Sequence, residues 1–402
     1  MRVERDVVVV FVIVLAALGL DFVLDRLVPY SSIRQLILLA FCNVVIAVSL
    51  NIINGLAGQF SIGHAGFVGI GAYTAAVVAS HLHEALGGGD PTFARSFIVV
   101  PLALVAAAVL AGTFGLLVGL PSLRLRGDYL AIVTLGFAEI FRLVIATAKL
   151  GEPETVRHAI SAIGGRDGLV GPSFHVLSVM VTSLGGQNGY AGEGNRGVPA
   201  YAGPFWVIGG AAVVVLVSLR LKFSGWGRAV RALREDEIAA AAVGVDPTQY
   251  KVSSFVLAAA GGGIAGSMLA LMRDGTPIVQ PDTFGFQASF DAITMVILGG
   301  SGSVSGAVLG GVFVTFTVKA IEEAQSTSLM IQLHDRFEWL DLNALRMIIY
   351  AAVLIALMIA RPSGLLGERE LFMRASKKRA APGGGNANGD PGPAQPTAAL
   401  VE

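Results

Sequence analysis

Apolar residues come in long runs along this chain, interrupted by short polar and Gly-rich stretches. A membrane-crossing helix needs about 20 mostly apolar residues. Runs of that kind lie at 7–24, 36–53, 97–120 and 252–272. Runs at 65–80, 128–148, 205–220, 306–323 and 345–361 are shorter or carry polar residues, and 284–299 has the length of half a helix. The pattern predicts an all-α, polytopic transmembrane helical bundle of about 8–10 spans with broken or half-length helices. The opening MRVERDVVVVFVIVLAALGL has the basic start and apolar centre of a signal peptide. Because many apolar segments follow, residues 1–34 read as a retained anchor and its connection.

Composition agrees, with 54% hydrophobic and 14% charged residues where soluble domains carry about 25% charged. The formal net charge is zero, so nothing favours nucleic acid, and the placement of charge matters more than its sum. The single cysteine, Cys42, lies in an apolar run and reads as a small buried hydrophobe. Lys and Arg concentrate in two stretches: Arg220, Lys222, Arg228, Arg231, Arg234 and Lys251, then Arg361, Arg369, Arg374, Lys377, Lys378 and Arg379. Positive side chains stay on the cytoplasmic side, which places both stretches there. An even number of crossings must separate them, and this holds if 284–299 crosses as well. The connection 149–204 is Gly-rich and poor in basic residues, so it is expected outside the cytoplasm. Residues 382–402 are rich in Gly, Pro and Ala and are expected to be disordered.

Several constellations carry candidate chemistry. The stretch NGLAGQFSIGHAGFVGIGAYTAA interrupts the second apolar run with six glycines among Asn54, Gln59, Ser61 and His64. Small residues let membrane helices approach, but polar side chains at membrane depth need protein or a water-filled cavity around them. Two readings of these four residues stay open, lining of a solute path or internal helix bonding. ILGGSGSVSGAVLGGVF repeats the same texture near the other end of the chain, as paired broken segments of transporters do. In LRLRGDYLAIVTLGFAEIFRLV, Glu139 and Arg142 stand three apart as a default ion pair, Thr134 lies on the same helix, and Asp128 suits a helix cap or a path.

The stretch 221–251 is the most informative. Trp226, Val230 and Leu233 share a helical face, Arg231 and Glu235 are four apart, and EIAAAAVG stops at Gly244. Asp246, Pro247 and Gln249 then form a second helix start. A helix pair with a sharp Gly turn follows, either an amphipathic element on the membrane surface or a docking element for a cytosolic partner. No phosphate loop, metal motif or nucleophile elbow occurs, and His81 and His83 are too poorly spaced for a metal site. Uphill transport would draw on an ion gradient or on another subunit.

In combination and in order, residues 55–76, 123–144, 225–246 and 293–313 resemble the permease subunits of bacterial branched-chain amino acid ABC transporters, the LIV type, and within it the longer M-type. The resemblance covers about 35–368. It implies a permease domain over 35–368, with an outer loop at 149–204 and a coupling loop at 221–251, and a basic, disordered cytoplasmic tail over 369–402. It also implies a multi-pass protein of the bacterial cytoplasmic membrane without catalytic residues, metal or bound cofactor. ATP and Mg would belong to two cytosolic ABC ATPase subunits. A second LIV-type permease and a periplasmic amino-acid-binding protein would complete the importer. The coupling residues it implies are Gly225, Arg228, Arg231, Arg234, Glu235, Asp236, Glu237, Ala239, Ala240 and Gly244, although Glu237 stands one place early relative to the usual E-A-A-x-x-x-G pattern of ABC importers. Leu, Ile and Val are the expected solutes, with urea, short amides or other amino acids as the alternative. The translocation-path candidates are Asn54, Gln59, Ser61, His64, Asp128, Thr134, Glu139 and Asp291. An ion-coupled secondary transporter would instead use Asp128, Glu139 and Asp291 as coupling sites, and a channel or scaffold would need neither ATPase nor binding protein.

Overall fold

The structure, a computed structural model, describes residues 16–21, 26, 31–122, 128–147, 186–192, 197–273 and 275–325, with isolated positions from 351 to 371. The expectations for the anchor at 7–24, the run at 345–361, the basic tail and most of the 149–204 loop lie wholly or largely outside these residues. The described helices belong to one unit, Met1–Glu370, and of the other unit, Leu371–Glu402, only Leu371 is described.

Long apolar helices dominate: α1 (Ser31–Asn51, continued by a π-helical turn Ile52–Leu56), α2 (His64–Ala85), α3 (Phe93–Ser122), α4 (Asp128–Thr147) and α5 (Pro204–Phe223). Two short helices follow, α6 (Gly225–Glu235) and α7 (Glu237–Ala242), then α8 (Pro247–Leu271), α9 (Phe286–Gly299) and α10 (Val304–Gln325). Among the described residues, seven helices are long and apolar enough to cross a membrane, and β-structure is limited to isolated bridges. α9, with 14 residues and about 21 Å of rise, is shorter than those seven.

The stretch 221–251 differs from the expected helix pair in two ways. Asp236 takes an extended conformation, and its carboxylate accepts from Ile238 N and Ala239 N at 2.9 and 3.0 Å, so it caps a new helix and splits the first one. The second helix is no separate piece. Asp246 caps Thr248 N and Gln249 N, and because nothing after Tyr250 stops the helix, it runs on through the apolar stretch as α8.

α1, α2 and α8 form the centre. In α2 and α8, 72% of the apolar stretch is buried, against 28% in α4 and α5. In lipid, helices associate through close packing rather than through hydrophobic exclusion, and glycine sets the approach here. A methyl group on Gly71 would run into the main chain of Gly263, and one on Gly266 into the carbonyl of Val68. Phe67 fills the adjoining space against Phe137 and Phe255, with ring centroids 5.2 and 5.7 Å away.

The bundle has two distinct ends. At one, main-chain bonds tie 190–202 to 271–279: Tyr190 N to Val279 O at 2.9 Å, Val198 N to Pro277 O at 2.8 Å and Ala202 N to Leu271 O at 2.8 Å. α9 starts at this end, where Phe286 N donates to Glu139 Oε1 of α4 at 3.0 Å. It finishes at the opposite end, beside the α6 segment and the turn at Gly300–Ser303. The short helix therefore links its start beside α4 to the turn at Gly300–Ser303.

A clasp closes the second end. Lys222, in the last turn of α5, holds Gly302 O and Glu370 Oε1, each at 2.6 Å, and the two side chains are only 6% and 5% exposed. Glu370 also accepts from Val304 N at 2.8 Å, from Ser305 N at 2.9 Å and from the Ser305 hydroxyl. Those N–H groups open α10 and have no partner within their own helix. Leu365 N and Leu366 N satisfy the terminal carbonyls of α9 at Leu298 and Gly299. Burial pushes the Glu370 carboxyl up, but the Lys222 ammonium and the bonds from Ser305 and Val304 outweigh it and hold the group below the usual carboxylate range.

Gly71→Leu should destabilise the α2–α8 crossing by about 1–3 kcal/mol or more, seen as a lower unfolding temperature in detergent. Gly136→Ala, with nothing within 4 Å of the added methyl, should leave that temperature unchanged or raised. Glu370→Ala should cost about 3–5 kcal/mol by leaving Lys222 buried without its counter-charge, while Lys222→Met with Glu370→Leu should restore most of it. The Glu370 contribution should be complete above a pH of about 4.3, the unfolded carboxylate value, and fade as pH falls through the lower folded value. Unfolding temperatures measured against pH, compared with those of the double variant, check this.

Candidate functional site

The interrupted segment after α1 is built from backbone that side chains complete. The π-helical turn places Ala57 N on Ile52 O at 3.1 Å and Gln59 N on Ile53 O at 3.0 Å. Asn54 brackets Ser61, donating from Nδ2 to Ser61 O and accepting Ser61 N on Oδ1, both at 3.1 Å. Thr134 of α4 accepts Ile62 N at 3.2 Å, and His64 Nε2 meets Ser49 Oγ at 2.9 Å between α1 and α2. Ser61, His64 and Thr134 are each at most 2% exposed. For Asn54, Ser61, His64 and Thr134 the geometry is that of internal bonding. Gln59 is buried with neither amide atom hydrogen-bonded.

The remaining path candidates are not gathered here. Glu139 lies toward the other end, where its carboxylate takes Arg142 Nε at 2.8 Å as well as Phe286 N, and Arg142 reaches Asp282 at 2.8 Å. The expected pair is thus one side of a three-residue network that fixes the start of α9 against α4. Asp291 accepts from Gln287 Nε2 one turn before it, at 3.2 Å. The Asp128 side chain lies outside the described residues.

The two broken segments meet through Asn51. Its amide accepts Gly302 N at 2.9 Å and donates to Ser303 O at 3.1 Å, so the end of α1 closes the turn between α9 and α10. α6 docks on the same layer. Ser224 caps it through Gly227 N, Trp226 Nε1 reaches Ser253 Oγ of α8 at 3.1 Å, and Arg234 Nη1 donates to Gly55 O at 2.8 Å. Leu56, Ala57 and Val230 form a small apolar core beneath it, with Trp226 and Tyr250 at its margin.

α7 projects away from that layer. Ala240 is 4% exposed, whereas Ile238 and Val243 are 84% and 80% exposed. Glu235, Asp236, Glu237, Ala239 and Gly244 are also exposed. Gly244 has φ +90°, which a side chain rarely adopts, and this makes the turn into α8 possible. Lys251 holds Glu237 at 2.6 Å, tying α7 to α8. The helical spacing of Trp226, Val230 and Leu233 was visible in the sequence. The bonds of Asn51, Lys222 and Glu370 were not legible there, because their partners are distant in the chain. Ile238 and Val243 were missed because a short run of alanines hides which face is covered.

A protein-family model described as the permease component of the branched-chain amino acid transport system matches residues 32–358. The permease protein LivM of the high-affinity branched-chain amino acid transport system of Salmonella typhimurium is 35% identical over 330 residues, which is 80% of this chain and 67% of that protein. The protein of the same name from Escherichia coli is 33% identical with the same coverage. The LivH permease of E. coli is 24% identical over 328 residues, 81% of this chain and 92% of that protein. No solved structure matches. With a matched region that runs from the first turn of α1 through α10, the chain belongs to the family of branched-chain amino acid transport system permease components.

Proposed function

We propose that this chain is one permease subunit of an ATP-driven importer of Leu, Ile and Val in a bacterial cytoplasmic membrane. It pairs with a second permease of its type, receives solute from a periplasmic binding protein and rests on two cytosolic ATPases that hold the ATP and Mg. Family membership supports the solute class. The observation that carries the mechanism is the pairing of a firmly docked α6 with a projecting α7. α6 is anchored to Gly55, Ser253 and the end of α5, so a push on α7 reaches the broken segments directly. Ile238 and Val243 offer apolar side chains to a partner groove, and a few such buried anchors dominate binding in protein interfaces.

The side of the membrane follows from charge. Leu365, Leu366 and Glu370 pack at the same end as Lys222 and the arginines of α6, which supports a cytoplasmic tail under the positive-inside rule. Asn54, Ser61, His64 and Thr134 act on the path through the shape of the break that they hold. Glu139 is engaged by Arg142 and by the start of α9, so it lends no support to an ion-coupled reading.

Ile238→Glu with Val243→Glu should reduce ATPase copurification at least tenfold, as loss of an interface anchor of about 2 kcal/mol implies. The second permease should still copurify, and uptake of labelled leucine should fall in parallel. Undiminished ATPase recovery and undiminished uptake would remove α7 from the coupling role.

A further inference from the structure

A cleft of about 390 Å³ lies between α6 and the turn that joins α9 to α10, bordered by Arg228, Arg231, Arg234, Glu235, Lys222 and Gly302. Its charge is unbalanced. Lys222 is already neutralised by Glu370, which leaves the guanidiniums of Arg228 and Arg231 beside Glu235, the one further carboxylate among the described residues that border the cleft. Among the described residues, Arg228 and Arg231 bond only main-chain oxygens: Arg228 to Phe223 O at 3.2 Å, and Arg231 to Gly227 O at 3.3 Å and Lys222 O at 3.4 Å. Neutral acceptors fix these side chains without cancelling their charge. Each guanidinium has five N–H donors in a planar fork, and such forks pair in bidentate fashion with phosphate oxygens.

We propose that this cleft binds the phosphate of an anionic phospholipid headgroup. Its depth favours a lipid over a soluble anion, because it sits where the apolar stretches of α1 and α5 end, at Leu56 and Phe223. Phe223, whose carbonyl holds Arg228, is 39% exposed and supplies an apolar neighbour for an acyl chain. Basic pockets between membrane helices on the cytoplasmic side suit anionic headgroups. The site gives Arg228 and Arg231 a role separate from contact with an ATPase, and it stands whether or not α7 docks one.

The test uses the full-length chain, delipidated in neutral detergent and titrated separately with phosphatidylglycerol, phosphatidylcholine and inorganic phosphate. Native mass spectrometry reads bound lipid, and the unfolding temperature reads stabilisation. Phosphatidylglycerol should bind and stabilise, and phosphatidylcholine should not. Arg228→Gln with Arg231→Gln should raise the half-saturating phosphatidylglycerol concentration roughly 25-fold, at about fivefold per basic residue near the membrane surface. Glu235→Gln should lower it about fivefold, a gain that damaged folding does not produce. Equal binding of both lipids, or unchanged saturation in both variants, would overturn the site. Stabilisation by inorganic phosphate equal to that by phosphatidylglycerol would overturn the lipid assignment in favour of a soluble phosphate ligand.

Discussion

Where a helix breaks inside a membrane bundle, its freed backbone groups must find partners within the protein, because lipid offers none. This chain interrupts its helices after α1 and between α9 and α10, and both interruptions lie in one layer. Asn51, Asn54, Thr134, Arg234, Lys222 and Glu370 complete that layer with side-chain bonds to main-chain atoms. Most of what distinguishes the fold follows from that need. α6 is held in place because Arg234 serves an open carbonyl of the first break, and Leu365, Leu366 and Glu370 meet the donors and acceptors that the second break leaves open.

The same bonds explain how a motion outside the membrane could reach the interior. α6 touches the first break through Gly55, the second through Lys222 at the end of α5, and α8 through Trp226. None of these contacts is a long flexible link. The glycine crossings between α2 and α8 leave little freedom for those helices to slide apart, so under the proposed coupling role a displacement of α6 would be directed into the breaks.

Charge is arranged with comparable economy. At one end, Glu139, Arg142 and Asp282 join α4 to the start of α9. At the other, Lys222 and Glu370 compensate each other in nearly complete burial, while Arg228 and Arg231 keep their charge because they are held by carbonyls. At that end the buried pair Lys222–Glu370 is thus compensated, while the exposed Arg228 and half-buried Arg231 bond main-chain carbonyls.

The sequence by itself determined what depends on a few neighbouring residues. The apolar runs specified the long helices, the spacing of Trp226, Val230 and Leu233 specified the docked face of α6, and Asp246 with Pro247 specified where α8 begins. Four motifs in order specified the family. Tertiary structure decided the rest. Asn51 finds Gly302 across 251 positions, Lys222 finds Glu370 across 148, and Glu139 finds Phe286 across 147. It also decided that Asn54, Ser61 and His64 bond within the protein, and that Ile238 and Val243 face outward while Ala240 does not. Helix periodicity and capping are settled by residues within a turn or two of each other. Partners so distant in the chain are chosen only once glycine contacts have set which helices lie side by side and at what depth their breaks meet.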